Sequence, residues 1–268
     1  SVLNCDFMCY NEFIGEISPL KYPRLIIQIE SLHRIIVRDG VYDLVILDES
    51  ESILSQFHNP KTRNKGLCFT HFKFIIAQAK NVICMDAFMN ERTVEVIHDI
   101  RKGKKSYIYI NKYQNACDYV YNIGYCENYM YGRIRTVLTD GKKIVIMSNN
   151  RNTLETYKRM IEKEFPSLKT INYTSKTDAV VKNAHMYDVN NTWTDYDIVF
   201  YTPTITAGIS FEEAHFSHVF AIFGNTSCDV LSCIQMLGRI RNVIDREITI
   251  LFDFRYQRCS SSLEGIEQ

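Results

Sequence analysis

Short runs of consecutive apolar residues recur along the whole chain and predict its strands. Each run is about four to six residues long, is rich in Val and Ile, and gives way to small or polar residues. Apolar residues at consecutive rather than alternating positions are typical of strands buried on both faces, as in a parallel sheet. The predicted strands are Arg24–Gln28, Tyr42–Leu47, Asn81–Met85, Lys143–Met147, Asp197–Tyr201, His218–Ile222 and Glu247–Phe252.

The segments between these runs carry apolar residues at helical spacing. In the segment 152–165, which stops before Pro166, one stripe consists of Leu154, Tyr157, Met160 and Ile161. The segments 70–79 and 91–100 have the same character. Because predicted strands alternate with predicted helices, we expect an α/β fold with right-handed crossovers.

A change of composition in the middle of the chain predicts a boundary between two domains. The stretch Arg101–Lys105 is basic and contains a glycine, and a tyrosine-rich region follows it. We therefore predict one domain over 1–105 and a second over 106–268. The tyrosines would suit a platform on which nucleic-acid bases stack, but half-buried tyrosines on edge strands fit the same pattern.

Composition and charge exclude several classes of protein. Hydrophobic residues make up 46% of the 268 residues and charged residues 23%, which is a globular balance. The 31 Lys and Arg balance the 31 Asp and Glu, so binding of a polyanion must depend on local geometry. No apolar run reaches the roughly 20 residues of a membrane helix, and the first residues show no secretory signal. Nine irregularly spaced cysteines indicate reduced thiols inside a cell, in the cytosol or the nucleus.

Two adjacent carboxylates, Asp48 and Glu49, directly follow the predicted strand 42–47. Open α/β sheets place their ligand sites at the carboxyl ends of their strands. In nucleoside-triphosphate hydrolases the first acid of such a pair holds a hydrated Mg²⁺, and the second polarises the attacking water. Taken alone, the pair fits a polar loop after a core strand equally well.

Two later segments combine groups that suit a phosphate. Gln235–Arg241 resembles the start of a helix, with a glutamine, Gly238 and two arginines whose guanidinium groups match phosphate oxygens. Tyr201–Phe211 follows a predicted strand, and its hydroxyls and small Ala-Gly pair allow a phosphate to approach closely. The alternatives are an exposed basic turn for the first segment and a plain Thr-rich loop for the second.

Taken in order, these segments resemble the motifs of superfamily-two helicases, and more closely those of the replication-origin-binding helicases of herpesviruses and other large DNA viruses. The resemblance extends over residues 24–242, and its most specific strings are Gln-x-Glu-Ser-Leu and Tyr-Thr-Pro-x-Ile-Thr-Ala-Gly-x-Ser-Phe. The matching segments are Ile26–Arg34 (a nucleic-acid-contacting block), Val45–Glu51 (Walker B), Met85–Asn90 (the coupling motif), Tyr201–Phe211 (the fifth motif) and Gln235–Arg241 (the sixth).

The resemblance implies two tandem RecA-like domains with parallel sheets, the first incomplete at its N-terminus, that hydrolyse ATP with Mg²⁺ and move along DNA. Asp48 would hold the metal through water, and Glu49 would orient and deprotonate the attacking water. Gln235, Arg239 and Arg241 would complete the catalytic set. The arginines would reach the γ-phosphate from the second domain.

The same resemblance implies the binding residues and the partners. Gly208 would join Asp48, Glu49, Gln235 and the two arginines at the nucleotide. The partners would be DNA, as a single strand or an origin duplex, and other replication proteins, without a membrane. The residues expected to contact the nucleic-acid backbone or to relay closure of a cleft between the domains are Gln28, Ser31, Arg34, Ser148, Thr202, Thr204 and Ser210.

Two features depart from the family pattern. No Gly-x-x-x-x-Gly-Lys-[Ser/Thr] phosphate loop (Walker A) occurs in the 268 residues. In the family that loop precedes the block at Gln28, so we expect it upstream of Ser1 and expect this chain alone to lack ATP turnover. The alternative to a fragment of an active helicase is a non-catalytic, helicase-like module that binds nucleic acid. Many superfamily-two enzymes also have an arginine at the position of Asn242, which leaves Arg241 as the candidate arginine finger.

Overall fold

The computed structural model describes residues 6–58, 63–112, 118–205, 209–225 and 228–253. The chain divides into two compact units, Ser1–Asn111 and Lys112–Gln268, slightly beyond the boundary at 105 that the composition indicates. Every strand pairing in the described residues is parallel. The prediction of an α/β fold with parallel sheets is therefore confirmed.

The described residues of the first unit form two short parallel strand pairs and three α-helices. One pair joins β1 to β2, and the other joins β3 to β4. The predicted strand 24–28 is shorter in the structure, because the chain turns into a 3₁₀ helix over Ile29–Arg34. The elements are β1 (Met8–Cys9), β2 (Leu25–Ile26), β3 (Leu44–Asp48), α1 (Ser50–Gln56), α2 (Lys65–Gln78), β4 (Asn81–Met85) and α3 (Glu91–Ile100).

Among the residues that the structure describes in this unit, only one face of β3 and β4 is covered. Leu47 is buried with Phe72 and Ile76 of α2 in the core of the unit. Side chains of the opposite face, including Leu44 and Ile46, are about half exposed within the described part of the unit. The expectation that these strands are buried on both faces is therefore wrong. Successive side chains of a strand point to opposite faces, so a helix packed on one side shields only every second residue.

The second unit is built on a six-stranded parallel sheet with the strand order β5-β10-β9-β6-β8-β7. Five helices are present in its described part. The elements are β5 (Val120–Gly124), α4 (Glu127–Thr139), β6 (Ile144–Ser148), α5 (Arg151–Glu164), β7 (Thr170–Tyr173), α6 (Ala179–Tyr187), α7 (Val189–Thr194), β8 (Ile198–Tyr201), β9 (His218–Gly224), α8 (Val230–Leu237) and β10 (Glu247–Asp253).

The central strands of this sheet are buried on both faces, as their apolar runs predict. All residues of β6 and β8 are buried. Leu154 and Ile161 of α5 pack against one face, and Trp193 of α7 packs against the other. Residues 151–164 form a helix because the Asn150 side chain accepts hydrogen bonds from the first turn, and Pro166 follows its end.

The segment Gln235–Arg241 lies at the end of a helix, so its interpretation as a helix start is wrong. Helix α8 begins after Asp229, whose carboxylate accepts a hydrogen bond from the Ser232 amide at 2.8 Å. It ends at Leu237, and the following residues form an isolated bridge between Ile240 and Phe211. Asp229, which caps the start of α8, precedes the segment Gln235–Arg241. The residues of that segment therefore give no sign of where the helix begins.

None of the helices in the described part of the chain has the length and apolar character needed to cross a membrane.

A buried histidine links the stability of the second unit to pH. His218 on β9 is 1% exposed, and its ring contacts the Thr249 hydroxyl at 2.9 Å. Burial lowers the pKa of His218 from 6.5 to about 4, because the charged ring would lose its hydration. At pH values between about 4 and 6.5, His218 therefore binds a proton in the unfolded chain but not in the folded chain.

We expect the free energy of unfolding to fall by about 2–3 kcal/mol from this group alone as the pH drops from 6.5 to 4. The measurement is urea denaturation at several pH values. His218→Gln should flatten this part of the profile, since glutamine cannot take up the proton. His98→Gln, at an exposed histidine, should keep the wild-type slope. Equal slopes for His218→Gln and the wild type would contradict the expectation.

Candidate functional site

Asp48 and Glu49 lie at the carboxyl end of β3, where the sequence predicts them. Asp48 is the last residue of the strand and is exposed, and Glu49 is half-buried at the cap position of α1. Glu49 has φ 57° and ψ 56°, in the left-handed region that residues with a side chain rarely adopt. Backbone strain of this kind costs on the order of 1–3 kcal/mol and is concentrated at functional sites.

The loop after β3 is tied to the end of the neighbouring strand β4. The backbone amide of Glu51 donates to Asp86 Oδ2 at 2.9 Å, and the amide of Phe88 donates to Asp86 Oδ1 at 2.7 Å. Because β3 and β4 are parallel neighbours, their carboxyl ends adjoin. The segments that resemble the Walker B and coupling motifs are therefore in direct contact through Asp86.

Glu51 is a residue of this site to which sequence reasoning gave no role. It is 7% exposed, and its carboxylate accepts hydrogen bonds from the Asn90 amide at 3.1 Å and the Thr93 hydroxyl at 2.5 Å. Its other oxygen forms an ion pair with Arg92 at 2.7 Å. Burial acts to raise the pKa of Glu51, but the three hydrogen bonds and the charge of Arg92 outweigh it and hold the pKa below its usual value.

We expect Glu51→Ala to lower the free energy of unfolding of the first unit by about 1–3 kcal/mol, because buried donors such as the Thr93 hydroxyl lose their acceptor. Urea denaturation at pH 7 measures the effect. Glu95→Ala, on the exposed face of α3, is the matched control and should change little. Since the folded pKa lies below the unfolded value of 4.5, the wild-type advantage should shrink as the pH falls below 4.5. Equal stability of the two variants would contradict this role.

The predicted nucleic-acid residues of the first unit lie around the 3₁₀ helix Ile29–Arg34. The guanidinium group of Arg34 donates to the carbonyls of Tyr10, Phe13 and Gly15 at 2.6–3.0 Å. Gln28 Oε1 accepts from the Tyr10 hydroxyl at 2.5 Å. Both side chains thus hold the segment 10–15 in place.

Ser31 lies on the same 3₁₀ helix and is half-buried, and its amide donates to the Gln28 carbonyl at 3.0 Å. Contact of Gln28, Ser31 or Arg34 with nucleic acid stays a prediction.

In the second unit, the segments that resemble the fifth and sixth motifs are joined. Phe211 and Ile240 form a parallel bridge, and Arg241 Nε donates to Ser210 Oγ at 3.0 Å. Arg239 Nη1 donates to the Ile209 carbonyl at 3.3 Å, while its buried Nε has no partner in the described part of the chain. The two arginines are therefore positioned by the loop 209–211.

Three of the remaining predicted residues of this unit, Ser148, Thr202 and Thr204, lie at or just after the carboxyl ends of strands. Ser148 ends β6, is fully buried, and accepts a hydrogen bond from the Asn150 amide at 3.0 Å. Thr202 and Thr204 follow β8, and Gln235 is half-buried near the end of α8. Gly208, expected at the nucleotide, lies outside the described residues.

Within each unit, the structure brings part of the predicted set together. Asp48 and Glu49 are adjacent at one strand end in the first unit, whereas Gln28, Ser31 and Arg34 belong to a separate 3₁₀ segment. In the second unit, Ser210 contacts Arg241, and Thr202 contacts Thr204.

Comparison with solved structures defines the class of fold. The chain superposes on Saccharomyces cerevisiae Dbp5, solved bound to RNA and ADP BeF3, with a TM-score of 0.59 and 12% identity, covering 93% of this chain and 64% of that one. At this identity the likeness shows the fold alone. The chain therefore has an α/β fold of the RecA-like kind, with parallel sheets.

Comparison with protein families identifies the particular family. The family model for the origin of replication binding protein matches residues 5–119 and 122–266, so the chain belongs to that family. This confirms the resemblance seen in the motifs.

Curated relatives come from several large DNA viruses. The "Putative helicase/primase complex protein" of African swine fever virus (isolate Pig/Kenya/KEN-50/1950) is 34% identical over 262 residues, covering 98% of this chain and 25% of the relative. The "Replication origin-binding protein" of human herpesvirus 7 (strain JI) is 29% identical over 253 residues, covering 91% of this chain and 31% of the relative. The chain thus spans about a quarter to a third of the length of these relatives.

Proposed function

We propose that this chain forms part of the motor core of a DNA helicase that acts at viral replication origins and, completed by a phosphate loop, couples hydrolysis of Mg²⁺-ATP to movement on DNA. The observation that carries the proposal is the end of β3, where Asp48 is exposed and Glu49 occupies a strained left-handed conformation. The hydrogen bonds of Asp86 link this strand end to the segment that resembles the coupling motif. Family membership and the names of the viral relatives support the same function.

The residues at this strand end fit a magnesium nucleotide. An exposed carboxylate such as Asp48 supplies the hard oxygen ligand that Mg²⁺ prefers, usually through water. When bound, the metal would neutralise charge on the phosphates. Glu49 would accept a proton from the attacking water, and its fixed backbone would hold the carboxylate in one direction relative to Asp48.

The arginines after α8 would act on the charge that develops on the transferred phosphoryl group. A guanidinium group remains charged at any physiological pH and presents its donors in a fixed plane. Arg241 donates a hydrogen bond from Nε to Ser210 Oγ, and this bond orients the guanidinium plane. The two terminal nitrogens stay available to donate to a phosphate. We propose Arg241 as the finger, Arg239 as a contact to the nucleotide and Gln235 as a further nucleotide contact.

Single-stranded DNA should bind to the chain weakly and with a steep dependence on salt. A neutral protein binds a polyanion through local phosphate contacts, and each contact contributes about −0.7 to the slope of log K against log salt for a single strand. We expect a slope of roughly −2 to −3, for three or four contacts. Fluorescence anisotropy with a labelled oligothymidylate at several salt concentrations measures it. An affinity that does not change between low and physiological salt would overturn the backbone-contact proposal.

A further inference from the structure

Two cysteines, Cys228 and Cys233, lie side by side at the start of helix α8. Their sulfur atoms are 3.6 Å apart. Cys228 directly precedes Asp229, the capping residue of the helix, and Cys233 is the fourth helical residue. Side chains immediately before a helix cap and at the fourth helical position often pack against each other. The way in which α8 begins therefore brings the two thiols into contact.

This contact is close to the geometry of a disulfide. The sulfur atoms need to approach by about 1.5 Å to reach the bond length of roughly 2.05 Å. Both thiols are free and half-buried, so part of each side chain is exposed to small molecules in solution. Among the cysteines that the structure describes, no other two sulfur atoms are in contact. The described cysteines are Cys9, Cys68, Cys84, Cys126, Cys228 and Cys233.

The two thiols differ in how firmly they are held. Cys233 packs against the core of the second unit, and its sulfur lies 4.0 Å from Asn149 Nδ2. The same Asn149 side chain exchanges two hydrogen bonds with the backbone of Gly224 at the end of β9, at 2.7 and 2.9 Å. Burial and the adjacent Cys228 raise the pKa of the Cys233 thiol, so it stays protonated at neutral pH. Cys228 is therefore the thiol that reacts first.

We propose that Cys228 and Cys233 form a redox-sensitive dithiol, which small disulfides such as glutathione disulfide convert to an intramolecular disulfide that holds the start of α8. The Cys228 thiolate attacks one sulfur of the small disulfide, forms a mixed disulfide and releases one small thiolate. The Cys233 thiol then loses its proton and attacks Cys228 Sγ, which releases the second small thiolate. The two protein thiols are thus oxidised, the small disulfide is reduced to two thiols, and an excess of small thiol reverses the reaction.

The disulfide would close a ring of six residues, 228–233, around the cap of α8. Such a ring removes open conformations of the chain, so the first turns of the helix should open less often. Gln235 lies on the same helix, two residues after Cys233, and the segment with Arg239 and Arg241 follows the helix. The modification therefore acts on the element that carries part of the proposed nucleotide site, although the formation of the disulfide does not depend on the proposed function.

The test maps the thiols of the 268-residue chain after incubation with glutathione disulfide at neutral pH. Free thiols are alkylated with N-ethylmaleimide, and mass spectrometry of the digested protein locates each modified cysteine. The variants are Cys228→Ser, Cys233→Ser and, as the matched control at an exposed cysteine, Cys126→Ser. Circular dichroism verifies that each variant is folded.

In the wild type, most chains should acquire the disulfide between Cys228 and Cys233 within about an hour, without attached glutathione, while Cys126 carries glutathione. Cys233→Ser should retain glutathione on Cys228, since no second thiol displaces it, and Cys228→Ser should leave Cys233 open to alkylation. Cys126→Ser should form the same disulfide as the wild type. Alkylation of both Cys228 and Cys233 in wild-type chains whose Cys126 carries glutathione would overturn the proposal and leave the pair as a packing contact. Stable glutathione on wild-type Cys228 would overturn it as well.

Hydrogen exchange tests whether the disulfide holds the helix. The amides of α8 should exchange roughly tenfold more slowly in the oxidised than in the reduced chain, and dithiothreitol should restore the faster rate. The amides of α5 serve as the internal control and should exchange equally in both forms. Equal rates for α8 in the two forms would overturn its restraint by the disulfide. These measurements involve neither ATP nor DNA, so failure of the proposed function would not change their outcome.

Discussion

Glu49→Gln should slow ATP turnover by roughly 100- to 10,000-fold while ATP binding stays nearly unchanged. Glutamine keeps the size of the side chain and can occupy the same left-handed backbone position, where Glu49 has φ 57°. It cannot accept the proton of the attacking water, so the chemical step loses its base. The assay requires a form of the protein that also carries a Gly-x-x-x-x-Gly-Lys-[Ser/Thr] loop, since the 268 residues contain none.

The comparison with Asp48→Asn separates the two carboxylates. A neutral amide is a poorer partner for hydrated Mg²⁺, so Asp48→Asn should weaken Mg²⁺-dependent nucleotide binding, which Glu49→Gln should not. Phosphate release measures turnover, and equilibrium titration with a fluorescent ATP analogue measures binding. Glu95→Gln, an exposed charge removal on α3, is the control and should leave both quantities unchanged. Wild-type turnover by Glu49→Gln would show that another group is the base.

Arg241→Ala should lower turnover by roughly a thousandfold or more in the same form of the protein, if Arg241 stabilises the transferred phosphoryl group. Arg241 is exposed, and its Nε is held by Ser210 Oγ at 3.0 Å, so the guanidinium plane is oriented before any ligand binds. An arginine that is oriented in advance loses less entropy when it meets the phosphate.

The neighbouring residues supply the controls for this experiment. Asn242 is exposed and donates to the Glu212 carbonyl at 2.5 Å, so Asn242→Ala should leave turnover close to the wild-type value. Arg239 is half-buried, with an Nε that has no partner in the described residues. Normal turnover by Arg241→Ala together with loss of turnover by Arg239→Ala would assign the finger to Arg239.

The contacts of Glu51 give the first unit a physical link between two motifs that are far apart in sequence. The side chain of Glu51 binds the start of α3 through Asn90, Arg92 and Thr93, while its amide binds Asp86. A displacement of the loop after β3 would therefore be transmitted to the start of α3. The order of the motifs along the chain does not reveal this link, because it depends on the pairing of β3 with β4.

Much of the fold follows from local patterns that are present in the sequence alone. The consecutive apolar residues of β6 and β8 predict buried parallel strands, and apolar residues at helical spacing before Pro166 predict α5. The placement of Asp48 and Glu49 also follows, since a carboxylate directly after a strand must lie at the carboxyl end of the sheet. Such features depend on neighbouring residues, which the sequence displays directly.

Only the tertiary structure decides which face of an element meets a partner and which polar groups are already engaged. The apolar run of β3 predicts burial on two faces, yet Leu44 and Ile46 are exposed, because helices cover only one side of the strand within the described part of its unit. Thr202 carries a hydroxyl that could donate to a phosphate, but this hydroxyl donates to the Tyr173 carbonyl inside the protein. Lys176, in contrast, is exposed in a loop to which the sequence assigns no motif. Residue identity determines what a side chain can bind. Packing between distant segments determines what it does bind, because a buried polar group must find its partner within the protein.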